Sequence, residues 1–318
     1  MKQFVRSCLL RSLIAFLWVG AFVAFVASAA EPPVTAMAFA HDGESLVAVS
    51  QSGIQVRAWP GLEVLREVEV TTPNLHCCRF SPQGTRLAIG GGYPAEEGVV
   101  KVYSWPELKL LSTDARHADS VVAISWRDER HLITSSLDRM INQLAIESDA
   151  SNAPTLSGHS RGVTALCVLS DGDTLVSGGE DQSLRVWSLN ERKVIRSLNQ
   201  HTSPIGAVAL RPSTEGLPVV ASAAADRTIR FWQPTIGRMV RYARLPAEPL
   251  AIAWLDDRRI AAACHDGRLR VIDSVEVSIT NEIEALDGWA YALAVHPSDG
   301  TLAIGGAGGV IRRIDAIR

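Results

Sequence analysis

Cysteine is scarce, with 5 residues in a chain of 318. None of them stands in a Cys-x-x-Cys or Cys-x-x-Cys-His spacing, which excludes a thiolate metal clip and a haem-attachment motif. Cys77 and Cys78 are adjacent, so in a strand they face opposite ways and do not bridge each other. With Cys167 and Cys264 they read as small buried hydrophobes, a long bridge being the alternative. Basic clusters are also missing, the longest after residue 30 being Arg312-Arg313. At a formal net charge of −3, the chain has no stripe for a phosphate backbone, and nucleic acid is not expected as a partner. No Gly-x-Ser-x-Gly elbow surrounds a serine. Gly90-Gly91-Gly92 and Gly305-Gly306 precede no helix and cradle no phosphate. The eight histidines are scattered without metal spacing, so no metal and no cofactor is expected.

Repetition is abundant. Leu-Val-Ser-Gly-Gly-Glu-Asp-Gln-Ser-Leu-Arg-Val-Trp at 175–187 returns 45 positions later as Val-Ala-Ser-Ala-Ala-Ala-Asp-Arg-Thr-Ile-Arg-Phe-Trp at 220–232. The shift carries Ser177, Asp181 and Trp187 onto Ser222, Asp226 and Trp232. Each copy alternates apolar and polar residues over short runs between turn signals, the pattern of strands. In the clearest copy the spacing predicts strands over 163–169, 174–178, 184–189 and 194–198. The turn after the first strand recurs at Gly43, Gly84, Asp128-Glu129, Gly172, Gly216, Asp256-Asp257 and Gly300. Seven units at roughly 40–45 residues each predict an all-β ring of seven four-stranded antiparallel blades. Trp59-Pro60 and Trp105-Pro106 match at a displacement of 46, and each proline ends a third strand because it cannot donate to a ladder.

Residues 34–318 thus resemble the WD-repeat family of seven-bladed β-propellers. The resemblance is strong in units four and five, at Gly158-His159, Ser177, Asp181, Trp187 and at His201, Ser222, Asp226, Trp232. It is partial in unit three, with His117, Thr134 and Asp138 but Leu144 in place of Trp. It is weak in unit six, which has Asp266, Ala262 and Ile272, and in unit seven, with Gly308 and Ile314. No unit ends in Trp-Asp. The resemblance implies a hydrogen-bonded chain through His, Ser/Thr, Asp and Trp. A buried carboxylate needs donors around it, and imidazole bridges an acid and a hydroxyl. The rival, a Ser–His–Asp catalytic triad, is disfavoured because the same trio occurs twice in neighbouring units. The chain is therefore expected not to be an enzyme.

Residues 1–30 differ from the rest. Lys2, Arg6 and Arg11 precede a run from Ser12 to Ala30 without charge, ending in Ala27-Ser28-Ala29. This pattern predicts an apolar helix serving as a secretory signal peptide, or an uncleaved membrane anchor over 12–30. It sets the propeller domain at 31–318 and an exported, periplasmic or extracellular location. After cleavage the charge would be −3 minus 3, or −6. The seventh unit runs out of sequence after a third strand, so three strands are expected there, with closure through sheet packing. The function expected is a monomeric scaffold for other proteins or peptides. The alternative is a channel-face binder of small ligands, or a hydrolase or oxidoreductase of propeller type. The resemblance implies contact residues on the loops before the first strand and between the second and third: Arg161, Thr164, Glu180, His265, Trp289 and Tyr291. Trp126, Trp254, Phe39 and Phe80 end first strands and are expected in the core.

Overall fold

The computed structural model describes residues 31–146, 154–213 and 215–317. The signal peptide or anchor expected over 1–30 lies outside the described residues. Residues 31–318 cluster as one compact unit. Among the described residues the strands form seven antiparallel sheets, each with its strands in sequence order. Blade 1 is Ala36–Phe39, Ser45–Ser50, Gly53–Ala58 and Val64–Val68. Blade 2 is Cys77–Phe80, Arg86–Tyr93, Glu97–Ser104 and Leu110–His117. Blade 3 is Val121–Trp126, His131–Ser136, Met140–Ala145 and Thr155–Ser157. Blade 4 is Val163–Val168, Thr174–Gly179, Leu184–Ser188 and Lys193–Leu198. Blade 5 is Ile205–Leu210, Val220–Ala224, Thr228–Gln233 and Arg238–Arg244. Blade 6 is Pro249–Trp254, Arg259–Cys264, Arg268–Asp273 and Ser278–Glu284. Blade 7 has three strands, Ala290–Val295, Leu302–Gly306 and Ile311–Ile314.

Turn chemistry sets this rhythm. Gly43, Gly84, Gly172, Gly216 and Gly300 all have φ between 67° and 74°, the left-handed region that costs glycine little. The two units without glycine there make the turn with an acid instead. Asp128 accepts the Arg130 amide and Asp256 accepts the Arg258 amide, at 2.8 and 2.9 Å, the Asx device that replaces a backbone bond.

Burial follows position in the blade. Second strands are almost fully buried, as in Thr174–Gly179 and Val220–Ala224, whereas fourth strands are largely exposed. Seven clusters of buried apolar residues result, one at each junction between neighbouring blades. The last joins Val34, Met37, Leu46 and Ala48 of the first unit to Ala292, Ala294 and Ala303 of blade 7. The Val34 amide also donates to the Gly306 carbonyl at 3.0 Å. Among the described residues this packing between sheets joins the last blade to the first. The four described cysteines are buried and free.

Candidate functional site

The marked polar residues converge within their blades. In blade 4, His159 Nδ1 lies 2.9 Å from Asp181 and Nε2 lies 2.7 Å from the Ser177 hydroxyl. Trp187 donates its indole N–H to that hydroxyl at 2.8 Å. One proton arrangement satisfies the set: indole N–H to hydroxyl, hydroxyl to imidazole Nε2, and Nδ1–H to carboxylate. The imidazole is then neutral. Its pKa is lowered from the ordinary value, chiefly because burial penalises the cation, against the upward pull of Asp181. Desolvation alone would raise the Asp181 carboxyl. The Ser183 hydroxyl, His159 and the Ser160 amide outweigh it and hold the group at about 2.

Blade 5 repeats the geometry. His201 is 2.8 Å from Asp226 and 2.7 Å from Ser222, and Trp232 donates to Ser222 at 2.8 Å. In blade 3, His117 meets Asp138 at 2.8 Å and Thr134 at 3.0 Å, with Leu144 buried where the indole would be. Ser177, Ser222 and Thr134 have no solvent exposure, so no substrate reaches these hydroxyls.

The second assembly is the channel. Its upper mouth is lined by one residue per blade, Thr35, His76, Val122, Thr164, Gly206, Leu250 and Tyr291. In blades 3 to 7 this residue is skipped by the ladder. The register shifts, for example, between Val163 and Ala165 and between Ala290 and Ala292. A bulge re-aims the extra side chain, here toward the channel mouth. Thr164 is committed there, since its hydroxyl donates to the carbonyls of Gly178 and Ile205. Tyr291 continues into an aromatic run. Its ring is 5.7 Å from Trp289, which is 4.1 Å from the imidazole of His265. Trp289 is 46% exposed. Three of the six anticipated contact residues are thus brought together across the loops of blades 6 and 7. Arg161 and Glu180 sit apart from them on the loops of blade 4, the first exposed and the second half-buried.

Two channel residues escaped the sequence reading. Arg79 is exposed in the channel, at the first-strand position filled elsewhere by Ala38, Ser125, Cys167, Ala209, Ala253 and Ala294. Its signal was a charge in the alternating first strand. His76 stands at the mouth with a lowered pKa, burial outweighing the opposite pull of Asp119. Of Phe39, Phe80, Trp126 and Trp254, expected in the core, Trp254 is buried at 8% exposure and the other three pack against the apolar clusters between blades. The others are partly exposed, and all four ring the lower end of the channel.

Seven antiparallel blades, three of them carrying a buried His–Ser/Thr–Asp set, make this a seven-bladed β-propeller with WD40-type repeats in its best-marked blades. The WD domain, G-beta repeat family model matches residues 151–188 and 192–233. Among curated proteins, Protein FIZZY-RELATED 2 of Arabidopsis thaliana is 28% identical over 229 residues, 71% of this chain and 46% of that protein. The anaphase-promoting complex subunit cdc20 of Dictyostelium discoideum is 27% identical over 208 residues, 64% of this chain and 40% of that protein. The chain spans about half the length of the curated relatives it matches. A chain from the crystal structure of a mitotic checkpoint complex shares the fold, with a TM-score of 0.78, 21% identity and 90% coverage of both chains.

These relatives overturn the expectation of export to the periplasm or the extracellular space, because they are intracellular cell-cycle proteins. That expectation rested on the basic start, the uncharged apolar run and Ala27-Ser28-Ala29 of residues 1–30, which lie outside the described residues. Among the described residues no helix is long and apolar enough to cross a membrane.

Proposed function

We propose that this chain is a non-catalytic protein-interaction scaffold that holds its partner on the upper face of the ring, at His265, Trp289 and Tyr291. The observation that carries this reading is the half-exposed indole of Trp289, held at a tilt between the rings of His265 and Tyr291, the last of which lines the channel mouth. An aromatic held in place by its neighbours loses little freedom on binding and makes an effective anchor. Relatives named for the anaphase-promoting complex and for cell cycle switching support a role as an adaptor in a regulatory assembly. The polar sets in blades 3 to 5 act as structural locks in this reading, since their hydroxyls are sealed from solvent.

The test is quantitative co-purification of cross-linked partners with wild type and with the Trp289→Ala/Tyr291→Ala variant. Loss of one or more specific partners at unchanged melting temperature is expected. Identical capture by the two proteins would refute the assignment of this face.

A further inference from the structure

The middle of each third strand carries a polar side chain, and in five blades the fourth strand answers it directly. Gln55 donates to Glu67 opposite it at 2.8 Å. Thr155 donates to Asn142 at 2.7 Å, and Arg185 donates to Ser197 at 3.4 Å. Arg230 lies 5.5 Å from the ring of Tyr242. Arg270, fully buried, donates to Glu282 at 3.0 Å and to Asp266 at 2.7 and 2.9 Å. In blade 2, Lys101 reaches Thr71 instead.

Arg312 is the blade 7 counterpart of Arg270. It faces Ile304 of its second strand as Arg270 faces Ala262. Gly308 stands where Asp266 would clamp it, and no fourth strand lies beside Ile311–Ile314 among the described residues. Arg312 is exposed, and among the described residues no side chain or carbonyl bonds to it. Arg313 next to it is already engaged, 5.8 Å from the Trp59 ring and 3.0 Å from Asp315. The edge therefore offers a row of backbone donors and acceptors together with one uncompensated cation.

We infer that this edge takes an extended acidic segment of another protein as the fourth strand of blade 7, antiparallel to Ile311–Ile314 and with a carboxylate opposite Arg312. Strand addition supplies the backbone bonds, and the cross-strand charge pair sets the register. The direction follows the six fourth strands already in the ring, all antiparallel to their third strands. The chain's own residues 1–30 bring Lys2, Arg6 and Arg11 but no Asp or Glu, and Glu31 lies against Gly309 at the head of the edge without a bond to the Arg312 guanidinium among the described residues. A second copy pairing by the same edge would bring Arg312 and Arg313 against like charges. Neither source provides the missing carboxylate. The inference concerns a different surface from the upper face and does not depend on the function proposed there.

The probe is a fluorescent peptide with the sequence of residues 276–286, the strand that carries Glu282. Anisotropy titration against the full chain should show saturable binding, weakened about five- to tenfold by Arg312→Glu. Replacing the peptide's Glu282 by Arg should restore binding to that variant. N-methylation of alternate peptide residues should abolish binding in one phase and spare it in the other. Arg312 is exposed, so the variant should melt as wild type does. Three results would overturn the inference: no binding to the full chain, binding indifferent to Arg312→Glu, or binding that survives N-methylation in both phases. Protection from hydrogen exchange, in the free protein, of those amides at 311–314 that point away from Leu302–Gly305 would mean that the outer edge is already covered, and would overturn it as well.

Discussion

Replacing Ser177 by Ala is the sharpest test of the locks. The hydroxyl receives the indole N–H of Trp187 at 2.8 Å and serves Nε2 of His159 at 2.7 Å. Ser177 has no exposure and Trp187 has 1%. Alanine leaves a space smaller than a water molecule, so both nitrogens lose their partner without replacement. A buried polar group left unpaired costs about 1–3 kcal/mol. With two such groups, less the hydroxyl's own desolvation, the expected loss is about 2–4 kcal/mol. For a domain of this length the unfolding entropy is about 0.6 kcal/mol/K, so the melting temperature should fall by about 3–7 °C. Ser222→Ala should cost as much, because blade 5 repeats the distances. The two sets share no hydrogen-bond partner, so the double variant should be additive to within about 0.5 kcal/mol. Urea titration and calorimetry measure all of these. A loss below about 0.5 kcal/mol in Ser177→Ala would refute the reasoning. So would a hydrolytic activity that disappears in this variant while its stability is unchanged.

Acid should destabilise the ring in two stages. His159 and His201 have lowered pKa values, burial being the main cause. The unfolded chain takes up protons near pH 6.5 that the folded one refuses, so their contribution is complete above that pH and declines below it. Asp181, held at about 2 against an ordinary 3.8, contributes about 2 kcal/mol that is lost as pH falls from about 4 toward 2. A urea midpoint that stays flat between pH 7 and pH 4 would contradict the first stage. Glycine positions separate strain from contact. At Gly172, φ is 67° and an added Cβ meets nothing, so Gly172→Ala should cost about 1 kcal/mol. At Gly267, φ is 75° and an added Cβ would sit 2.1 Å from the Leu286 carbonyl, so Gly267→Ala should cost at least about 3 kcal/mol, read from the same titrations.

What could be read from the sequence was whatever the 3-D structure repeats. The turns at Gly43 through Gly300, the strand runs of blade 4 and the spacing of His159, Ser177 and Asp181 recur in register, so period alone locates them. The three strands of the last blade, among the described residues, lie where the recurring turns and strand runs put them. The channel mouth was less accessible because it depends on a bulge. The ladder skips Thr164 and Tyr291, and alternation by itself does not say which residue is skipped. The pairing of His265 with Trp289 joins two blades through loops, where no period operates. Arg312 looked like part of a short basic pair. Its meaning emerges only beside Arg270 and Glu282, since what marks it is the absence of a neighbour.

The weak blades show how such a lock is lost. In blade 6 the serine and tryptophan positions are Ala262 and Ile272, both fully buried. Losing one partner of a buried hydrogen bond is costly, whereas exchanging both for apolar groups is close to neutral. The Asp266 carboxylate, no longer tied to a histidine, clamps Arg270 instead. The apolar junctions stay intact all the same, as between Ile260 and Ala262 of blade 6 and Phe231 of blade 5. The family model therefore matches only residues 151–188 and 192–233, while the fold extends to all seven blades. The match to the family model falls on the two blades with complete sets including tryptophan, and the ring itself is held by the apolar faces between blades, which tolerate many side chains of similar volume.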